Sequence, residues 1–201
     1  STVPCTIDGE VYQCVVANPA GNGLLNSTAF GVGAAVGSNG STAFGANASA
    51  IQTATTAVGQ GATTTGQQSV AVGAGASSGA LAAAVGRNAQ ATTNNTAAFG
   101  SFAEATAYGA TSIGSVARAS AEHATAVGHS SQARAEGGVA LGRNANVLAS
   151  ATNSVAIGQG AVAQATDVVS FGHGGGGFAL AGTPATRRLT NVSDGLTPTD
   201  A

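Results

Sequence analysis

Ser41-Thr42-Ala43-Phe44-Gly45-Ala46-Asn47-Ala48-Ser49-Ala50 is one copy of a unit that recurs along most of the chain. In extended backbone, Thr42 and Phe44 share one face while Ala43 and Gly45 share the other. Thr, Val, Ile and Phe favour that backbone. Asn47, two places after the glycine, suits the positive φ that a tight turn needs. A second short strand fits around Ala48 to Ala50, and a second turn fits before the next unit begins. One repeat of 14 residues therefore closes one coil of two short strands.

The anchor glycine returns at positions 31, 45, 59, 73, 86, 100, 114, 128, 142, 158 and 172. The step is 14 residues throughout, except for 13 between Gly73 and Gly86 and 16 between Gly142 and Gly158. The long step predicts a longer loop at one coil turn, around Val147 to Asn153, and the short step a shorter one. The residue before each glycine is large and apolar, as in Phe30, Phe44, Val58, Phe99, Ile113 and Ile157. The residue two before it is Ala or Ser. Such a period means that one small unit is stacked on itself many times. Parallel pairing at about 4.8 Å per coil makes eleven coils a rod of roughly 50 Å. The expectation is that the large residues stack as a ladder inside each coil. The bare Ala face at Ala29, Ala43, Ala57, Ala71 and Ala98 is then free to meet another copy of the chain. A helix is excluded by the glycine and β-branched content, although 14 also equals two heptads.

Composition sets bounds. Leu, Ile, Val and Phe make up about 18% of 201 residues, just under the roughly 20% associated with disorder. Disorder also calls for high net charge, and here the net charge is only -2. The periodicity outweighs the composition. A chain this poor in large side chains needs thin coils, partner chains or both. All six basic residues are Arg, and Arg187-Arg188 is their only run, so no phosphate-tracking surface and no nucleic-acid partner is expected. No apolar run of about 18 residues exists to span a membrane. No signal-peptide pattern stands at the start, and the chain reads as cut from something longer. Cys5 and Cys14 lie close together outside the repeats. In a secreted protein that spacing reads as a local disulfide, in a cytosolic one as two free thiols; nothing else about the chain looks cytosolic.

No catalytic constellation, cofactor motif or metal site stands out. His129 and His173 both follow an anchor glycine, which makes them turn residues. Glu104, Glu122 and Glu136 keep no fixed relation to a His or Ser, and an abundant hydroxyl is no nucleophile without a positioned base. Gly31 to Gly37 and Gly174 to Gly177 do not lead into the Gly-Lys-Ser/Thr of a phosphate loop. Asp is too sparse for calcium-binding nonapeptide repeats. No enzyme is expected.

Asn153-Ser154-Val155-Ala156-Ile157-Gly158 resembles the head-domain repeat of trimeric autotransporter adhesins, the YadA-like family, and Gly138 to Gly142 and Ser69 to Gly73 are looser copies. Arg187-Arg188-Leu189-Thr190-Asn191-Val192-Ser193-Asp194-Gly195 resembles the family's neck, which joins the head to a coiled-coil stalk. The resemblance implies an all-β, left-handed parallel β-roll of about eleven coils, homotrimeric and ending in a neck. It implies residues 1–26 as a non-repeat segment and possible cap, 27–172 as the head, and 173–201 as Gly-rich connector and neck. It further implies display on the outer face of a Gram-negative outer membrane through a stalk and C-terminal barrel beyond this chain. The partners it implies are host matrix proteins (collagen, fibronectin or laminin), host cells, or other bacteria in autoaggregation. Asn153 to Gly158 is the candidate adhesive repeat, with binding spread over many weak equivalent sites. The competing reading is a β-solenoid rod for polysaccharide or ice, since Thr28, Thr42 and Thr56 begin a Thr ladder that Val70, Ala83 and Ala97 interrupt. A solenoid lyase or hydrolase would need acids clustered across adjacent coils.

Overall fold

The computed structural model describes residues 26–172 in full, together with the backbone of residues 2–7 and 10–15. Near the N-terminus, Thr2–Ile7 and Glu10–Val15 pair as an antiparallel hairpin. Its register sets Cys5 opposite Tyr12 and Cys14 opposite Val3, so a Cys5–Cys14 bond would cross the hairpin diagonally. The neck residues Arg187, Arg188, Leu189, Asn191, Val192 and Gly195 lie outside the described residues, as does His173.

From Thr28 onward the chain is a parallel β-solenoid. Each coil supplies a long strand that ends just before the anchor glycine and a two-residue strand beyond it, as in Thr42–Phe44 and Ser49–Ala50. The long strands stack into an eleven-stranded sheet and the short ones into a ten-stranded sheet. This makes ten complete coils and the long strand of an eleventh. Among the described residues there is no helix. The register never slips: Ala84 pairs with Ala98, Ala98 with Ser112, and Ser112 with Ala126.

Two turns close each coil, and both pass through the left-handed region. The first turn does so at Asn47, Gly61, Asn88 and their equivalents, as the sequence predicts. Where the sequence offers Phe102, Val116 and Ser130 instead, φ is still 57°, 60° and 55°. The second turn has its own left-handed position, at Ala54, Gln68, Leu81, Asn95, His123, Asn153 and Asp167 among others. The two irregular steps both fall in this second turn. Only Gly79 to Leu81 stand between the short strand Ser77–Ser78 and Ala82, and Ala80 sits so close that a Cβ on Gly66 would collide with its backbone nitrogen. The longer loop runs from Leu148 to Asn153 after Asn146–Val147, and Ala151 N–H donates to Leu148 O at 2.9 Å.

The interior reverses one expectation. The large residues before the glycines point outward: Phe44 is 51% exposed, Phe99 40% and Ile113 42%. The alanines two places before the glycines fill the inside, and Ala43, Ala57, Ala71 and Ala98 are fully buried. The Ala face is therefore the coil's own core and not a surface for another copy. The reason is the tightness of the two turns, which bring the sheets so close that only Ala, Ser or Thr fits between them. Each coil has four inward positions, Thr96, Ala98, Ala103 and Ala105 in one coil. Val147 is the largest fully buried side chain. It fits because the inward position across from it is Gly138, whose missing Cβ would come within 3.0 Å of Val147 Cγ1. Buried hydroxyls in the column before the long strand satisfy carbonyls of the second turn. Ser69 Oγ donates to Gly66 O at 2.7 Å and Thr96 Oγ1 to Thr93 O at 2.7 Å. In the dry interior an unpaired carbonyl there would be costly.

The anchor glycines stack as tightly as main chain allows. Gly100 has φ 135°, and a Cβ on it would lie 2.6 Å from the carbonyl carbon and oxygen of Gly114. Gly61 also has a positive φ, 65°, but open space where a Cβ would go. The pair separates strain from collision. Gly61→Ala should lower stability by about 1 kcal/mol, the toll of a left-handed alanine. Gly100→Ala should lower it by about 2 to 6 kcal/mol, since backbone strain and overpacking each contribute about 1 to 3. Thermal melting of the two variants compares them directly, and equal losses would mean that the close stacking is not what holds the ladder.

Candidate functional site

A coil offers four outer surfaces: the outer face of each sheet and the two turn edges. The long-strand face carries the pre-glycine ladder, with Phe30 stacked on Phe44 at 5.0 Å between centroids. Beside it runs a second column, Thr28, Thr42, Thr56, Val70, Ala83, Ala97, Thr111, Thr125, Val139 and Val155. The whole face is apolar or methyl-bearing over ten coils. Its Thr column is broken by three consecutive non-hydroxyl residues, Val70, Ala83 and Ala97, before Thr111, which removes the regular hydroxyl array a flat ice-binding face would need.

The short-strand face is polar. Ser49, Thr63, Ser77, Gln90, Glu104, Arg118, Gln132 and Asn146 follow one another in register. Arg118 Nε lies 2.7 Å from Glu104 Oε2 on the neighbouring coil, and Arg134 donates to Asn146 Oδ1 at 3.1 Å. These are the side chains that present repeated hydrogen-bonding groups to solvent.

The two edges differ in charge. On the first turn, Arg87, His129 and Arg143 each follow an anchor glycine, and all three are exposed. Arg87 also stands over the Phe102 ring, 4.4 Å from its centroid. On the second turn, Glu122 and Glu136 are exposed, with Asp167 further along. Tyr108 receives a hydrogen bond from Asn95 Nδ2 at 3.2 Å and meets His123 edge-on at 5.5 Å. The sequence reading did not separate these edges. Reading each charge by its offset from the anchor glycine would have done so, because Arg87, His129 and Arg143 sit at one offset and Glu122 and Glu136 at another.

The candidate adhesive repeat is distributed over the coil. Asn153 takes the second-turn left-handed position with φ 53°. Ser154 is buried, donates to Ala165 O at 2.7 Å and accepts from Val168 N–H at 3.0 Å. Ala156 is buried in the core, Val155 and Ile157 lie on the long-strand face, and Gly158 belongs to the glycine ladder. Each residue has a part in building the coil, and they do not converge on one surface. The described residues hold no group of three or more His, Cys, Asp or Glu placed to bind a metal ion.

Comparison with known proteins agrees with this geometry. The family model for the YadA head domain repeat matches residues 25–48, 50–76, 77–103, 105–128, 119–145 and 149–174. The crystal structure of the collagen-binding domain of the Yersinia adhesin YadA is similar over 94% of this chain and 89% of that one, with 28% identity and a TM-score of 0.60. No curated protein matches the chain.

The Arg118–Glu104 pair lies on an open face, where such pairs contribute about 0 to 1 kcal/mol and are weakened by salt. Glu104→Gln should therefore leave the melting temperature within a few degrees of the parent, with the small difference vanishing at high salt. A calorimetric scan at two ionic strengths checks this.

Proposed function

Because the chain belongs to the family of YadA head domains, we propose that it is the adhesive head of a trimeric surface protein that holds a bacterium to a fibrous host matrix. The Yersinia domain it resembles binds collagen, and collagen is the ligand proposed here, ahead of fibronectin and laminin. Display on the outer face of the outer membrane, attachment to host cells and autoaggregation belong to the same proposal. Residues 173–201 would be the connector and neck leading to the stalk, and the hairpin region 1–26 a cap.

The observation that carries this reading is the inside-out distribution of side chains. Alanine fills the core, while Phe30, Phe44, Phe99 and Ile113 stand on an outer face. An apolar sheet face that runs the length of the rod is larger than a lone soluble chain normally exposes. Three copies with this face turned towards a common axis would cover it. The polar short-strand face then points outward, where Ser49, Thr63, Ser77, Gln90, Gln132 and Asn146 repeat at the coil spacing. A single coil offers small neutral groups and little affinity. Linked copies on three chains raise avidity by perhaps 10² to 10⁴ towards a repetitive or immobilised ligand.

Two measurements test the reading. Sedimentation equilibrium of the whole chain should give three times the monomer mass, and the double variant Phe99→Asp/Ile113→Asp should give the monomer, because two charges per chain would be buried at the axis. Removal of whole coils in register should lower binding to immobilised collagen step by step. Complete loss from one point substitution in an intact trimer would replace the distributed surface with a discrete site.

A further inference from the structure

How neighbouring chains meet rests on the trimer proposed above. All coils wind the same way, so a cyclic assembly with the long-strand faces inward brings unlike edges together. At every corner the first-turn edge of one chain meets the second-turn edge of the next, a heterologous contact closed by the rotation. Cyclic symmetry also keeps equal coils at equal height. The second turn of a coil stands about half of the 4.8 Å coil step above its first turn. It therefore faces the gap between two successive first turns of the neighbouring chain.

The side chains at those heights match. The second turn that carries Tyr108 falls level with the gap between the first turns of Phe102 and Val116. The second turn that carries Glu136 falls level with the gap between His129 and Arg143. Phe102, Val116 and Tyr108 are 40%, 47% and 48% exposed within one chain, and Glu136, His129 and Arg143 are exposed as well. Among the described residues, Glu104 and Arg118 form the one ion pair, and neither Glu136 nor Arg143 pairs with an opposite charge there.

Phe102 and Val116 add a second argument. Both occupy the left-handed turn position that Gly or Asn fills in most coils, at φ 57° and 60°. A β-branched residue there is a backbone outlier. Such strain is retained where something outside the local backbone compensates it. Two adjacent coils trade an easy turn for an exposed apolar side chain, and they are the two coils that face Tyr108.

We infer that the edges form the corners of the trimer, with Tyr108 of one chain docked between Phe102 and Val116 of the next, and Glu136 between His129 and Arg143. The occupant of each edge is thus a second copy of this chain. The apolar contact anchors the corner, and the acid–base contact fixes which coil meets which.

Paired cysteines test the corner in the whole chain, with Cys5 and Cys14 changed to Ser. Glu136→Cys/Arg143→Cys and, independently, Tyr108→Cys/Val116→Cys should each give covalent dimer and trimer bands on a non-reducing gel after mild oxidation. Each single variant should run as a monomer, because a corner then holds only one thiol. Both double variants should sediment as trimers before oxidation. If they do and neither yields covalent species, the corner assignment is overturned while the trimer stands. If the parent chain sediments as a monomer, the trimer reading falls and this inference with it.

Discussion

Main chain resting on main chain at the anchor glycines is the constraint on which the rest of the structure depends. From Gly31 to Gly142, the space a Cβ would need is taken by the carbonyl of the next anchor glycine. That contact fixes the vertical spacing at one edge of both sheets. The chain turns there at once, because the anchor glycines hold positive φ, as at Gly45 (133°) and Gly100 (135°). The turn sets the separation of the sheets, and the separation sets what can be inside. Alanine in the core is thus a consequence of glycine in the turn.

A core of alanines contributes little. Burial stabilises roughly in proportion to apolar area, and each inward methyl supplies only a small part of what a Leu or Phe would. Two things make up the difference. One is the unbroken ladder of parallel hydrogen bonds, such as Gly59 N–H to Phe44 O at 2.8 Å and Gly73 N–H to Val58 O at 2.7 Å. The other is the set of large side chains that the thin coil cannot hold. Placed on an outer face, they become useful only when another molecule covers them. The same geometry that weakens the single chain therefore gathers its large apolar side chains on one outer face.

The period, the two strands per coil, the left-handed first turn and the position of the long and short steps were all legible in the sequence, because each depends on local backbone rules applied to Gly, Asn and β-branched residues. Which face is inside was not. Alternation along Thr42-Ala43-Phe44 separates two faces but does not say which one is enclosed. Hydrophobicity argues for Phe44 inside, and in a two-layer fold with ordinary sheet separation it would be right. Here the separation is decided by the turns, and volume overrides hydrophobicity. Gly138 shows the rule from the other side: the core's Val147 is admitted only where its neighbour has no side chain at all. A second turn was foreseen but not its left-handed position, because Gly or Asn at Asn26, Gly40, Asn95, Gly109, Gly137 and Asn153 alternates with Ala54, Gln68, Leu81 and His123. The edge charges were missed for a related reason: net charge near zero conceals their separation until each is placed on the coil.

The departures from the repeat are informative because the repeat is so strict. Both changes in coil length fall in the second turn, and none in the first, where the glycine ladder leaves no slack. Residues other than Gly or Asn at the left-handed position occur in both turns, at Phe102, Val116 and Ser130 in the first and at Ala54, Gln68, Leu81, His123 and Asp167 in the second. Backbone length can vary only where stacking is loose, so the first turn can vary only in side chain. Function in such a solenoid is consequently written on its outside, in columns read along the axis. The inward columns hold Ala, Ser and Thr through most coils, with Val147 opposite Gly138 and with Val36 and Val168 in coils near the two ends. The outward columns are free to differ from coil to coil, which is how one rigid template yields an apolar face, a polar face and two edges of opposite charge.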